Sequence, residues 1–173
     1  GWAASSSVSR SSNKMNIVMQ ESMLDAIKSI EDSLESETNV SIIDLKTGPI
    51  SVSIQIANAL MNEEIVAIMG DRASNKKAVI ELDFLNEKAY FNKNPFQIAY
   101  KMDKPILIYF VILVGMQTYK IEYLRVDVDK TKAEVEAVFE AVKIYLKEYE
   151  SNIKRYPNQW LNFYDFWDKE FKS

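Results

Sequence analysis

Glu64-Ile-Val-Ala-Ile-Met-Gly70 is nearly continuous in apolar residues and stops at a glycine. A strand of that composition is usually buried on both faces, in a parallel sheet with helices above and below. Working back from it, Asn16-Ile-Val-Met19 predicts a short buried strand and Val40-Ser-Ile-Ile-Asp-Leu45 a second one. Between these two, Met23, Ile27, Ile30 and Leu34 fall on one stripe and predict a helix over roughly Glu21 to Glu37. Thr47-Gly48-Pro49 reads as a turn, with Pro49 opening a helix that runs to about Asn62 and gathers Val52, Ile56, Ala59 and Leu60. The first half is therefore β-α-β-α-β, with right-handed crossovers expected.

Forward from Gly70 the style changes. Lys77-Ala-Val-Ile-Glu-Leu-Asp83 and Lys88-Ala-Tyr-Phe91 flank Leu85-Asn86-Glu87 and predict a hairpin or bent strand pair. Pro95 to Met102 is a short helix. Ile106 to Val114 is the most hydrophobic strand, expected in the core, and Thr118 to Val128 alternates well enough to pair with it antiparallel. A final helix over about Lys132 to Arg155 carries Val135, Val138, Val142, Tyr145 and Tyr149 on one stripe. The fold class is α/β: a central mixed, mostly parallel sheet flanked by helices, in one domain over 14–173 with an aromatic C-terminal tail. Residues 1–13, rich in serine, are expected to be a flexible or artificial leader. The chain does not start with Met, so it is read as cut from something longer.

Of the seventeen residues Tyr156 to Lys172, seven are aromatic. So much apolar surface at a terminus packs on the protein's own body, a partner or a membrane. As a helix continuing past Pro157 it sets Trp160, Tyr164 and Trp167 on one side. Asp165, Asp168 and Glu170 would repel an anionic bilayer, which favours packing inward over the interfacial alternative.

Composition excludes several chemistries. The net charge of −4 offers no concentrated basic face for nucleic acid. There is no cysteine, hence no disulfide or thiolate chemistry, and no histidine, hence no Ser-His, Cys-His or His-metal mechanism within these 173 residues. No carboxylate cluster has metal-ligand spacing, and no segment reaches the roughly 18–20 apolar residues of a membrane span.

Two places carry candidate binding groups. Gly70-Asp71-Arg72 closes the third strand, at the sheet end where α/β proteins bind ligands. Arg72 offers a planar, always-charged fork for phosphate or carboxylate, and Asp71 could orient it or bind a cation. The alternative is an Asp-Arg pair that only ties down a loop. Asn92-Lys93-Asn94-Pro95-Phe96 opens the short helix, with Asn94 as cap, Pro95 in the first turn and amides that attract anions, against the plainer reading of an ordinary helix start. Lys76 and Lys77 could steer an anionic substrate or simply be solvated. Asp127 and Asp129 read as solvent-facing, and the N-terminal serines as loop.

In order along the chain, Asn16-Ile-Val-Met19, Ile65-Val-Ala-Ile-Met-Gly-Asp-Arg72, Leu82-Asp-Phe-Leu-Asn-Glu-Lys-Ala-Tyr-Phe91, Asn94-Pro-Phe96 with Ile98-Ala99, and Tyr156-Pro-Asn-Gln-Trp160 with Asn162-Phe-Tyr-Asp-Phe-Trp167 form a set. It resembles the lipid A biosynthesis branch of the lysophospholipid acyltransferase superfamily, over about residues 14 to 168. The resemblance implies an acyltransferase-like fold. It also implies transfer of a fatty acyl group from acyl carrier protein or acyl-CoA to a lipid or amino-lipid acceptor, without a further cofactor. The setting it implies is peripheral, at the cytoplasmic face of a bacterial inner membrane.

In that family a histidine in a His-x4-acid box removes the acceptor proton, and the arginine of the Gly-Asp-Arg word holds phosphate or a polar headgroup, here Arg72. The substrate-binding residues implied are Gly70, Asp71, Arg72, Asn94, Pro95 and Phe96. The sequence departs where the histidine belongs. Gly1-Trp2 resembles the Gly-x-Trp remnant of the box, with Ala3 where an acid is usual, so the histidine is expected upstream. Asn94 stands for the usual glycine before Pro-Phe, and Asn158 for the usual acid before Gln-Trp. The rival readings are a non-catalytic lipid- or anion-binding relative that has lost the box, and a soluble phosphate-ligand binder unrelated to lipids.

Overall fold

The computed structural model describes residues 13–19, 39–71, 78–116, 118–162 and 166–167. The chain divides into two compact units, Gly1–Met69 and Gly70–Ser173.

In the first unit, β1 (Met15–Met19) lies between β2 (Val40–Asp44) and β3 (Ile65–Ile68), and all three are parallel. The helix expected over Glu21 to Glu37 lies outside the described residues. β2 stops one residue short of the expected Leu45. The Asp44 carboxylate accepts the Lys46 amide at 3.0 Å and turns the chain into a short 3-10 segment, Leu45–Thr47. Gly48 then takes φ +90°, a conformation side chains resist, and Pro49 opens α1 (Pro49–Met61). Val52, Ile56 and Ala59 form its buried stripe, as their spacing predicts.

β3 corrects the expectation of burial on both faces. Ile65 and Met69 are exposed, 37% and 52%, because β3 is an outer strand of the three. Asn16, buried on the central strand, ties its start in place by donating to Glu64 Oε2 at 2.7 Å.

In the second unit, β4 (Val79–Phe84) and β5 (Glu87–Asn92) form the expected hairpin. Its two-residue turn places Leu85 at φ 51° and Asn86 at φ 71°, the type I′ geometry that matches strand twist. A left-handed leucine is disfavoured by about 1–2 kcal/mol. The Glu150 carboxylate offsets this by accepting the Leu85 amide. α2 (Asn94–Met102) follows, then β6 (Ile106–Gly115) and β7 (Thr118–Val126), antiparallel with an irregularity between Leu113 and Gly115. The last helix is α3 (Glu134–Arg155).

The class is thus mixed α/β, as expected. Among the described residues the parallel pairing sits in a three-stranded sheet and the antiparallel pairing in two ribbons.

β6 is not the core strand its composition suggested. Ile108 and Ile112 are buried, while Leu107, Tyr109 and Leu113 stand exposed, the alternation of a ribbon covered on one face. The core of this unit lies instead between the β4–β5 hairpin and α3, where Phe84, Phe91 and Val142 are fully buried. On α3 the buried stretch begins at Ala137; Val135, two residues earlier, is 84% exposed, against the stripe expected.

The tail does not continue the helix. α3 ends at Arg155 and Pro157 starts a 3-10 turn, Pro157–Gln159. Phe166 is buried, with ring centroids 5.3 Å from Phe84, 5.7 Å from Phe91 and 5.5 Å from Trp160. The Trp160 indole donates to the Tyr149 hydroxyl at 2.9 Å. These described tail residues pack inward. Tyr164 lies outside the described residues.

Candidate functional site

The strand order of the parallel sheet reverses between β1 and β3, and in open α/β sheets ligands bind beyond the carboxyl ends of strands at such a reversal. Gly70 and Asp71 follow β3 there. Arg72, together with Lys76, Lys77, Gly1, Trp2 and Ala3, lies outside the described residues.

Gly70 is crowded. A Cβ built on it would come 3.1 Å from Tyr145 Oη and 3.2 Å from its Cζ, tighter than ordinary van der Waals contact. Tyr145 projects from the middle of α3 and is itself buried. Its ring stacks on Tyr149, with centroids 5.6 Å apart and 14° between planes. It also meets Phe96 at 5.9 Å and Phe91 at 6.5 Å. The α3 tyrosine thus stands between two words the sequence singled out separately, Gly70-Asp71 and Asn94-Pro95-Phe96.

The start of α2 differs from expectation. Asn94 is the first helical residue and is exposed; Lys93 holds the cap position without a side-chain cap bond. It is Asn92 that caps, its Oδ1 accepting the Asn94 amide at 3.0 Å. Pro95 has no amide proton, and the Phe96 and Gln97 amides both donate to the Lys93 carbonyl. The first-turn donors are therefore engaged within the protein. Phe96 is a buried residue, held against Tyr145.

The two aspartates past β7 have local roles. Asp127 is exposed and pairs with Arg125, whose guanidinium holds its carboxyl below the ordinary range. Asp129 accepts from the Thr131 hydroxyl and amide, and its carboxyl is likewise lowered. Among the described residues no three carboxylates gather as metal ligands would.

The Gln-Trp word has a geometry that sequence reading did not supply. The Gln159 side-chain amide donates to the Leu113 carbonyl at 2.9 Å, and its oxygen accepts the Leu113 amide at 2.8 Å. One glutamine thereby occupies the outer edge of β6 as a neighbouring strand would. Only the pairing of an amide side chain with a strand edge after a proline turn could have hinted at this.

The described residues define a mixed α/β protein: a parallel three-stranded sheet in the first unit, and in the second an aromatic face of α3 against which Gly70 and Phe96 lie. The family model of bacterial lipid A biosynthesis acyltransferases matches residues 14–169, and the chain belongs to that family. This bears out the resemblance carried by the five words above. The family is one of acyltransferases, so its membership suggests an enzyme of acyl transfer. No curated protein matches the chain.

Proposed function

We propose that this chain takes part in moving a fatty acyl group from acyl carrier protein or acyl-CoA to a lipid or amino-lipid acceptor. The setting is the cytoplasmic face of a bacterial inner membrane, with the protein held there peripherally. The observation that carries the reading is the family match over residues 14–169, with the Gly70-Asp71-Arg72 word at the carboxyl end of β3.

In this reading Arg72 grips an anionic group of the acceptor or the carrier. A guanidinium suits that task because its planar fork binds two oxygens at once and keeps its charge at every physiological pH. Asp71 orients it. Phe96 meets Tyr145, which also stands against Gly70, and Asn94 and Pro95 precede it at the start of α2 as further substrate-binding candidates.

The acceptor hydroxyl or amine must lose a proton as it attacks the thioester carbonyl. These 173 residues contain no histidine, so a histidine base is contributed by residues beyond them. Among the described residues no helix is long and apolar enough to cross a membrane.

The test is acyl transfer by the parent protein carrying these residues, using dodecanoyl-acyl carrier protein and an under-acylated lipid A acceptor. Arg72→Ala is expected to lower kcat/KM by roughly a hundredfold or more, as loss of a bidentate charge clamp does, while the melting temperature holds. Unchanged kinetics remove Arg72 from its role. The absence of histidine also favours a second reading, a binding relative without chemistry. That protein would bind the acceptor lipid in vesicles yet transfer nothing.

A further inference from the structure

We propose that the outer face of the β6–β7 ribbon is a docking surface for a lipid bilayer and lies at the boundary between headgroups and acyl chains. It gives the peripheral attachment proposed above a particular surface and rests on that reading.

The ribbon has one covered face and one open face. On the covered side Ile108, Ile112 and Val126 are buried, and Phe110 stacks on Tyr149 with centroids 6.1 Å apart. Arg155 of α3 pairs with Glu122 of β7 and ties the same side down. Alternate side chains point the other way. There the register sets Tyr109 opposite Tyr123, Val111 opposite Ile121 and Leu113 opposite Tyr119. All of these but the half-buried Val111 are exposed, Tyr123 by 73%. At the tip of the ribbon Val114 is exposed too, and Met116 by 97%.

Charge and size choose the occupant. The outer face of the ribbon carries no carboxylate, in a chain with 25 acidic residues. Its one charged group, Arg125 opposite Leu107 at the base, pairs with Asp127 at 2.8 Å. A bilayer meets such a face without repulsion. Tyrosine suits the boundary because its ring is apolar while its hydroxyl stays wet. A protein partner fits less well. The ten residues of β6, at about 3.3 Å each, and two strands about 4.8 Å apart give an outer face of roughly 300 Å², against the roughly 800 Å² that each partner of a stable complex buries. Strand addition along β6 is blocked at Leu113, whose amide and carbonyl both bond to Gln159. A bilayer needs neither a shape match nor a strand edge, and the protruding tip can sink into it.

The test uses the 173-residue chain and phosphatidylcholine vesicles. The chain has no cysteine, so Met116→Cys gives one attachment point for an environment-sensitive dye. Lys147→Cys, exposed on α3, is the control. The dye at 116 is expected to shift to the blue when vesicles are added, and the dye at 147 to stay as it was. Tyr119→Ser combined with Tyr123→Ser is expected to lower the vesicle partition coefficient by roughly tenfold or more. Should that pair unfold, Met116→Glu at the exposed tip carries the same expectation. Because apolar contact drives the binding, it is expected to persist at high salt and to gain little from added phosphatidylglycerol. The ribbon's role alone is overturned if the wild-type chain binds vesicles but the dye at 116 does not shift, or both dyes shift equally, or the variants bind undiminished. Binding that needs phosphatidylglycerol and vanishes at high salt overturns it too. A wild-type chain that binds no vesicles overturns the peripheral attachment as well. A dimer in solution that the tyrosine pair abolishes, without vesicle binding, assigns the face to a second copy instead.

Discussion

Truncating Phe166 to alanine is the sharpest test of how the tail is used. The ring is 7% exposed and lies 5.3 Å from Phe84, 5.7 Å from Phe91, 5.5 Å from Trp160 and 5.7 Å from Trp167 by centroid. Replacing a buried phenylalanine by alanine costs about 3–5 kcal/mol, from lost transfer free energy plus the cavity left behind. Four aromatic partners place this site toward the upper part of that range. For a unit of about 100 residues, Gly70–Ser173, the unfolding entropy of about 2.1 cal/mol/K per residue turns 4 kcal/mol into a fall of roughly 20 °C in Tm. The measurement is a melt followed by near-ultraviolet circular dichroism, where the stacked rings report directly, with vesicle co-sedimentation alongside. A Tm within about 3 °C of wild type, together with weakened vesicle binding, would refute the inward packing. That result would mean that the ring meets the bilayer in solution.

Glu150→Ala removes the acceptor of the Leu85 amide. The expected cost is about 1.5–3 kcal/mol, that of a hydrogen bond to a charged group, with faster amide exchange at Leu85 than at the other hairpin positions. Gln159→Ala opens the β6 edge at Leu113; a loss of about 1 kcal/mol and quickened exchange at the Leu113 amide are expected. At low pH the tie between α3 and β7 weakens. The Arg155 guanidinium, and next to it Lys120, hold the Glu122 carboxyl below its ordinary value. A carboxyl depressed in the folded state stabilises it above the ordinary glutamate range and loses that contribution as pH falls through the depressed value. Melting temperature measured from pH 6 down to pH 3 should therefore fall less in Glu122→Gln than in wild type; parallel curves would exclude the triad as an acid-sensitive tie.

Much of this architecture is legible in the residues themselves. Gly48-Pro49 marks the start of α1 because one residue tolerates a positive φ and the next has a fixed φ and no amide to satisfy. Val138, Val142 and Tyr145 mark a helix face because 3.6 residues per turn puts them together. Two apolar runs around Leu85-Asn86-Glu87 mark a hairpin or bent strand pair, and the structure narrows the turn to Leu85-Asn86. Local backbone preference and apolar periodicity decide these features, and both are written in the chain.

Burial was legible less often, since it depends on what covers a strand. Glu64 to Gly70 and Ile106 to Val114 have the composition of core strands, yet β3 is an outer strand and β6 belongs to a two-stranded ribbon, so isoleucine, leucine and tyrosine side chains remain exposed. Capping at α2 passed from Asn94 to Asn92 because the side chain two residues before an amide reaches it, which depends on where the turn begins.

The sequence by itself determined the class, the order of the elements among the described residues, the family and the absence of histidine and cysteine chemistry within the chain. Those follow from short-range rules and from residue inventory. Only the tertiary structure decided that Tyr145 stands against Gly70, that Gln159 pairs with the edge of β6, and that Phe166 closes on Phe84. Each joins residues 46 to 82 positions apart. No local preference encodes such a contact; it exists because the whole chain is packed at once.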